Sequence, residues 1–263
     1  MTRSFLALTL AAPFLLAAPP AGAQTAPAPT AAPAPPTPLE AARGAERKLD
    51  SWMTAEARTA LSPVAAQAAS NVDVAIALGR LLEQEKKYAE SADVLQKAVA
   101  LAPADPRPSH WLGETLLRAR KTAEADAAFR KAAELATKAA EARPTDAAAF
   151  LAKGAALSRL RRFDEAMTAL GKARELDGGS AATLYQMGST RAFQQKWGDA
   201  VDLLTQTLAK DPGMALAYYY RGLAQEKLGR KDQMVLDLDR FVKIAASAPE
   251  AERAKALLAA ASR

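Results

Sequence analysis

Residues 218–230 read YYYRGLAQEKLGR. The stretch is patterned as a helix, yet a lone glycine, Gly222, sits inside it, where glycine costs about 1 kcal/mol relative to alanine. Counterparts stand at Gly188, Gly154, Gly113 and Gly79, spaced by 34, 34, 41 and 34 residues. Glycine is only 13 of 263 residues, so this phasing is not accidental. A 34-residue period in a helix-forming chain marks a stack of similar supersecondary units.

Other positions keep the same frame. KKYAES, RRFDEA and QKWGDA align and place Tyr88, Phe163 and Trp197 nine residues after the glycine. Three further on come Ser91, Ala125, Ala166 and Ala200, then Leu95, Phe129, Leu170, Leu204 and Leu238. Apolar residues at i, i+3, i+4 and i+7 define one face of a helix, and small residues let two helix backbones approach. This pattern resembles the tetratricopeptide repeat family, with W-x2-L-G-x2-Y, then A-x3-F, then P. The resemblance covers about residues 72–248 and no copy is perfect: Trp111 sits two residues before its glycine, and Lys231 and Met234 replace the aromatic and small residue of the last copy. It implies an all-α, right-handed superhelical solenoid of about five antiparallel helix pairs with helical caps.

The frame divides the chain into repeat 1 (72–105), repeat 2 (106–146), repeat 3 (147–180), repeat 4 (181–214) and repeat 5 (215–248). Repeat 2 carries seven extra residues, about two helical turns, which lengthen its second helix without rotating the apolar face. A capping helix is expected over 249–263, with Ala254, Leu257 and Leu258 facing the last repeat. An N-terminal cap is expected over 39–71, helical through residues 39–61, with Leu49, Trp52 and Met53 on one side.

Composition agrees: aromatic residues are 6% of the chain and cysteine is absent. Residues 1–23 have a positive start at Arg3, a short apolar run broken by Pro13, and Ala21-Gly22-Ala23 before Gln24. This is the pattern of a cleaved secretory signal peptide, cut after Ala23, and implies an exported, periplasmic protein. Residues 24–38 form a Pro/Ala-rich linker. Removal of Arg3 lowers the formal charge from +6 to +5, spread among acids; nucleic acid is not expected as a partner, and no later segment reads as a transmembrane span.

In this frame Tyr218 is expected inside the helix pair, Tyr219 towards the concave groove that the family resemblance implies as the ligand surface, and Tyr220 near the neighbouring helix. The same frame points Ile76, Arg80, His110, Glu114, Leu151, Arg159, Tyr185, Ser189, Phe193 and Leu223 to that groove. The Asn/Lys pattern of carboxylate-clamp repeats is missing. His110 is the single histidine, no cysteine nucleophile exists, and HExxH, GxGxxG and GxxxxGK[ST] elements are absent. Neither a metal, a cofactor nor a catalytic role is expected. The resemblance therefore implies a non-enzymatic scaffold binding a protein partner in the cell envelope; a self-assembling homo-oligomer and an accessory subunit of an envelope enzyme remain alternatives.

Overall fold

The computed structural model describes residues 35–262. The signal peptide expected over 1–23, its cleavage site and the expected linker as far as residue 34 lie outside the described residues. The described residues form an all-α helical-repeat solenoid of thirteen helices without strands.

Two short helices, α1 (Pro38–Asp50) and α2 (Thr54–Leu61), and a 3-10 turn (Ala65–Ala69) precede the array. Five pairs follow: α3 (Val72–Gln84) with α4 (Tyr88–Leu101), α5 (Pro106–Arg118) with α6 (Thr122–Ala142), α7 (Ala147–Arg159) with α8 (Phe163–Asp177), α9 (Ala181–Phe193) with α10 (Trp197–Lys210), and α11 (Ala215–Lys227) with α12 (Lys231–Ile244). The last helix is α13 (Ala251–Ala261). Every first helix has 13 residues.

The phased glycines explain the pairing. A Cβ on Gly79, Gly113, Gly154, Gly188 or Gly222 would stand 2.5–2.7 Å from Leu95, Phe129, Leu170, Leu204 or Leu238, each sixteen residues later. The second helix thus presses its largest core side chain onto bare backbone of the first. Ser91, Ala125, Ala166 and Ala200 are fully buried beside these contacts. Ser91 replaces alanine without penalty because its hydroxyl donates to the Gly79 carbonyl (2.8 Å) and meets the Thr115 hydroxyl at 2.9 Å.

The turns are equally regular. Four of the five first helices begin at a side-chain cap: Asn71, Asp105, Asp146 and Ser180. Each first helix ends in a left-handed residue, namely Lys86, Arg120, Arg161, Gln195 and Gly229, with φ of 60–73°. The next amide then donates six-to-one to the helix, as Lys87 N–H does to Leu82 O (2.9 Å).

The extra turns of α6 continue its apolar face, burying Leu135, Ala136 and Ala140. The N-terminal segment differs from the single helical stretch expected over 39–61. It breaks at Ser51–Met53, where Trp52 adopts φ 56°, and folds into a hairpin on α3. Leu49 is buried, but Met53 is 42% exposed and Trp52 turns away towards the far end of the array.

Candidate groove across the first helices

Neighbouring first helices touch along the chain, α3 with α5, α5 with α7, α7 with α9 and α9 with α11. Between them lies a cavity of about 280 Å³, walled by Trp52, Arg80, His110, Trp111, Arg159 and Tyr185 among others. A second cavity, about 330 Å³, is lined by Phe193, Tyr219, Tyr220 and Leu223 together with Glu250 and Arg253. The expected groove residues divide between the two, apart from Ile76, which is buried in the core, and Ser189. Ser189 is buried, and its hydroxyl donates to Gln186 O (3.2 Å) instead of facing either cavity.

Ion pairs hold the first cavity's wall. Arg80 reaches Asp50 at 2.6 Å and Glu46 at 3.6 Å, and its guanidinium lies 4.0 Å from the Trp111 ring centroid. Glu114 accepts two bonds from Arg159, at 2.5 and 2.9 Å. Burial pushes the Glu114 carboxyl up, but Arg159, His110 and Arg118 together outweigh it and hold the group below its ordinary range. His110 packs edge-on against Trp111, and burial lowers its pKa, so it is neutral at pH 7. Its Nε2 faces Glu114 at 3.8 Å, and its Nδ1 is buried without a partner.

Arg118 spans the groove. It binds Glu83 at 2.5 Å and, from the other end of the chain, Glu250 at 3.0 Å. Burial raises the Glu83 carboxyl to about 7; Glu114 and Glu250 add to the rise, while Arg118 and Arg80 oppose it. Trp52 closes the same side, its indole donating to Ser247 Oγ at 3.2 Å.

Tyr218 and Tyr219 depart from the expected arrangement, while Tyr220 lies against the neighbouring first helix as expected. Tyr218 is half-buried at the surface, its hydroxyl donating to Pro212 O at 3.2 Å. Tyr219 is buried against Phe241, with ring centroids 5.1 Å apart, although one edge lines the second cavity. Tyr220 is the residue that meets Tyr185 (6.3 Å) and Phe193 (5.5 Å) inside the groove. α13 packs on α12, and Glu250 and Arg253 line the second cavity beside Tyr219.

The frame had not pointed to Glu83, Arg118, Tyr220 or Glu250. Arg118 was within reach: it stands five residues after its repeat glycine, as do Arg159 and Phe193. Glu250 lies beyond the last repeat, where the period has nothing to say.

A tetratricopeptide repeat family model matches residues 54–106 and 185–249. Among solved structures, the chain is similar to TTC0263, a thermophilic TPR protein of Thermus thermophilus, at 18% identity and TM-score 0.55, covering 73% of this chain and 98% of that one. The human IFIT1 dimer with PPP-AAAA is 15% identical with TM-score 0.55, covering 79% and 50% of the two chains. The Cut9-Hcn1 hetero-tetramer of APC/C is 16% identical with TM-score 0.53, covering 86% and 43%. No curated protein matches. At these identities the likeness is one of fold.

Proposed function

We propose that the chain is a non-enzymatic interaction scaffold of the bacterial cell envelope that holds an extended segment of a protein partner in its concave groove. The observation that carries this reading is the first cavity, where Trp111, Tyr185 and Arg80 form an aromatic and guanidinium wall held in place by ion pairs. Aromatic and arginine side chains in a partly enclosed, pre-formed site are the usual energetic centres of recognition. A pocket of about 280 Å³ takes side chains of a bound segment rather than the whole segment. Among the described residues, no group of three or more His, Cys, Asp or Glu is placed to hold a metal ion. The envelope setting is supported by the export pattern of residues 1–23.

The test is crosslinking and capture from an envelope fraction with wild type and with Trp111→Ala/Tyr185→Ala, after both show the same helicity and melting. Loss of specific partners with the fold intact supports the groove; retention of the same partners refutes it. Sequencing of the secreted form from Gln24 is expected, and an uncleaved chain in the cytosol overturns the envelope setting.

A further inference from the structure

We propose that residues 24–34 of this chain dock in its own first cavity, as an uncharged, proline-rich occupant that a protein partner must displace. This rests on the groove reading and names the class of segment that the groove takes. Three carboxylates, Asp50, Glu83 and Glu114, and three guanidiniums, Arg80, Arg118 and Arg159, line that cavity. Each guanidinium is already held: Arg80 by Asp50, Arg118 by Glu83, and Arg159 by Glu114. A charged side chain of either sign finds no free counter-ion there and must break a partly buried pair to gain one. An uncharged segment leaves every pair intact and still meets Trp52, Trp111 and Tyr185. Proline-rich segments dock on aromatic-lined grooves, and their backbone makes no internal hydrogen bonds, so its polar groups stay free. His110, on the same wall, has a buried Nδ1 without a partner. Such a backbone offers it an N–H or a carbonyl, whichever its tautomer needs.

The chain carries a segment of this chemistry within reach. Residues 24–34 read QTAPAPTAAPA, with Pro27, Pro29 and Pro33, and no side chain between Arg3 and Glu40 is charged. Residues 35–37 are exposed, and α1 begins at Pro38. The other end of α1 supplies Leu49 and Asp50 to the cavity wall. With 13 residues, α1 is about 20 Å long. Residues 24–37 reach about 43 Å at about 3.1 Å per residue, so the segment can return along α1 and lay its first half, with Pro27 and Pro29, over the cavity. A short tether gives an effective concentration of about millimolar, so even a weak contact is mostly made within one chain.

The chain has no cysteine, so Ala28→Cys gives a single attachment point for bimane, whose emission tryptophan and tyrosine quench on contact. In the full chain the label is expected to be quenched equally at every protein concentration, and Trp111→Ala/Tyr185→Ala is expected to relieve the quenching. No quenching, or quenching that this variant leaves unchanged, overturns the proposal. Quenching that rises with protein concentration puts the segment in a second copy and overturns docking within one chain. A fluorophore-labelled peptide of residues 24–37 is then titrated by anisotropy against the full chain. It is expected to bind Pro27→Ser/Pro29→Ser about tenfold tighter than wild type, because the tethered segment no longer competes. Equal affinity for the two chains, or binding to neither, overturns the proposal. If partner capture is lost in Trp111→Ala/Tyr185→Ala while the label is unquenched without those substitutions, the groove reading stands and self-docking falls. If capture is retained in that variant, the groove reading itself falls.

Discussion

Gly154→Ala and Gly171→Ala place the same methyl group on the two helices of one pair and should move stability in opposite directions. An ideal Cβ on Gly154 stands 2.5 Å from Leu170 Cγ, 2.7 Å from its Cδ2 and 3.1 Å from the Ala166 carbonyl oxygen. Leu170 is fully buried, and the carbonyl belongs to the α8 backbone. Overpacking of this kind costs about 1–3 kcal/mol, and the conflict with backbone puts Gly154→Ala towards the upper end. The helix-propensity gain of alanine returns about 1 kcal/mol, so the net loss is about 1–2 kcal/mol. Gly171, in the middle of α8, has nothing within 4 Å of its Cβ position, so only the propensity gain applies there. At about 2–4 °C per kcal/mol for a chain of this size, Gly154→Ala should melt several degrees below wild type and Gly171→Ala a few degrees above. Circular dichroism melts and urea titrations read both. Repeat arrays do not always unfold in one step, so the sign of the difference between the variants is the deciding quantity. Leu170→Ala should cost about 2–5 kcal/mol alone, and adding Gly154→Ala to it should cost less than the sum, because the new methyl occupies vacated space. A Gly154→Ala variant as stable as Gly171→Ala would show that close backbone approach is not what the phased glycines provide.

Ser91→Ala removes the hydroxyl shared by Gly79 O and Thr115 Oγ1, and should cost about 1 kcal/mol even though alanine fits this position in repeats 2 to 4. Glu83 has a folded pKa of about 7 against an ordinary value of 4.5, so its stabilising contribution is full below about pH 4.5 and is lost as pH rises through 7. Wild type should melt lower at pH 8 than at pH 5, and Glu83→Gln should flatten that dependence; an unchanged slope removes Glu83 as its source. Trp52→Ala removes the indole bond to Ser247 and should raise hydrogen exchange in α12 and α13 while leaving α5–α8 protected. Equal exchange in all helices would mean that the N-terminal hairpin does not support the far end of the array.

What was legible in the sequence follows what is local or periodic. A glycine and a large apolar residue sixteen positions apart recur five times, and each recurrence is a single contact between the two helices of one pair. The capped starts of α3, α5 and α7 could likewise be read from Asn71, Asp105 and Asp146. Features that close the groove were not legible, because they join residues outside any common frame. Arg118 and Glu250 are 132 positions apart, and Trp52 and Ser247 are 195 apart. Whether such residues meet depends on the sum of small rotations between successive repeats, and no single repeat encodes that sum. The same limit explains the tyrosines. A frame built from internal repeats assumes that another repeat follows, whereas α11–α12 is followed by α13, whose Arg253, with Glu250 just before it, stands beside Tyr219. Tyr219 packs on Phe241 and lines the second cavity, and Tyr220 faces Tyr185. The repeat therefore builds the walls of the groove, while the non-repeating ends, through Trp52 and Glu250, set how far it opens and part of the charge that it presents.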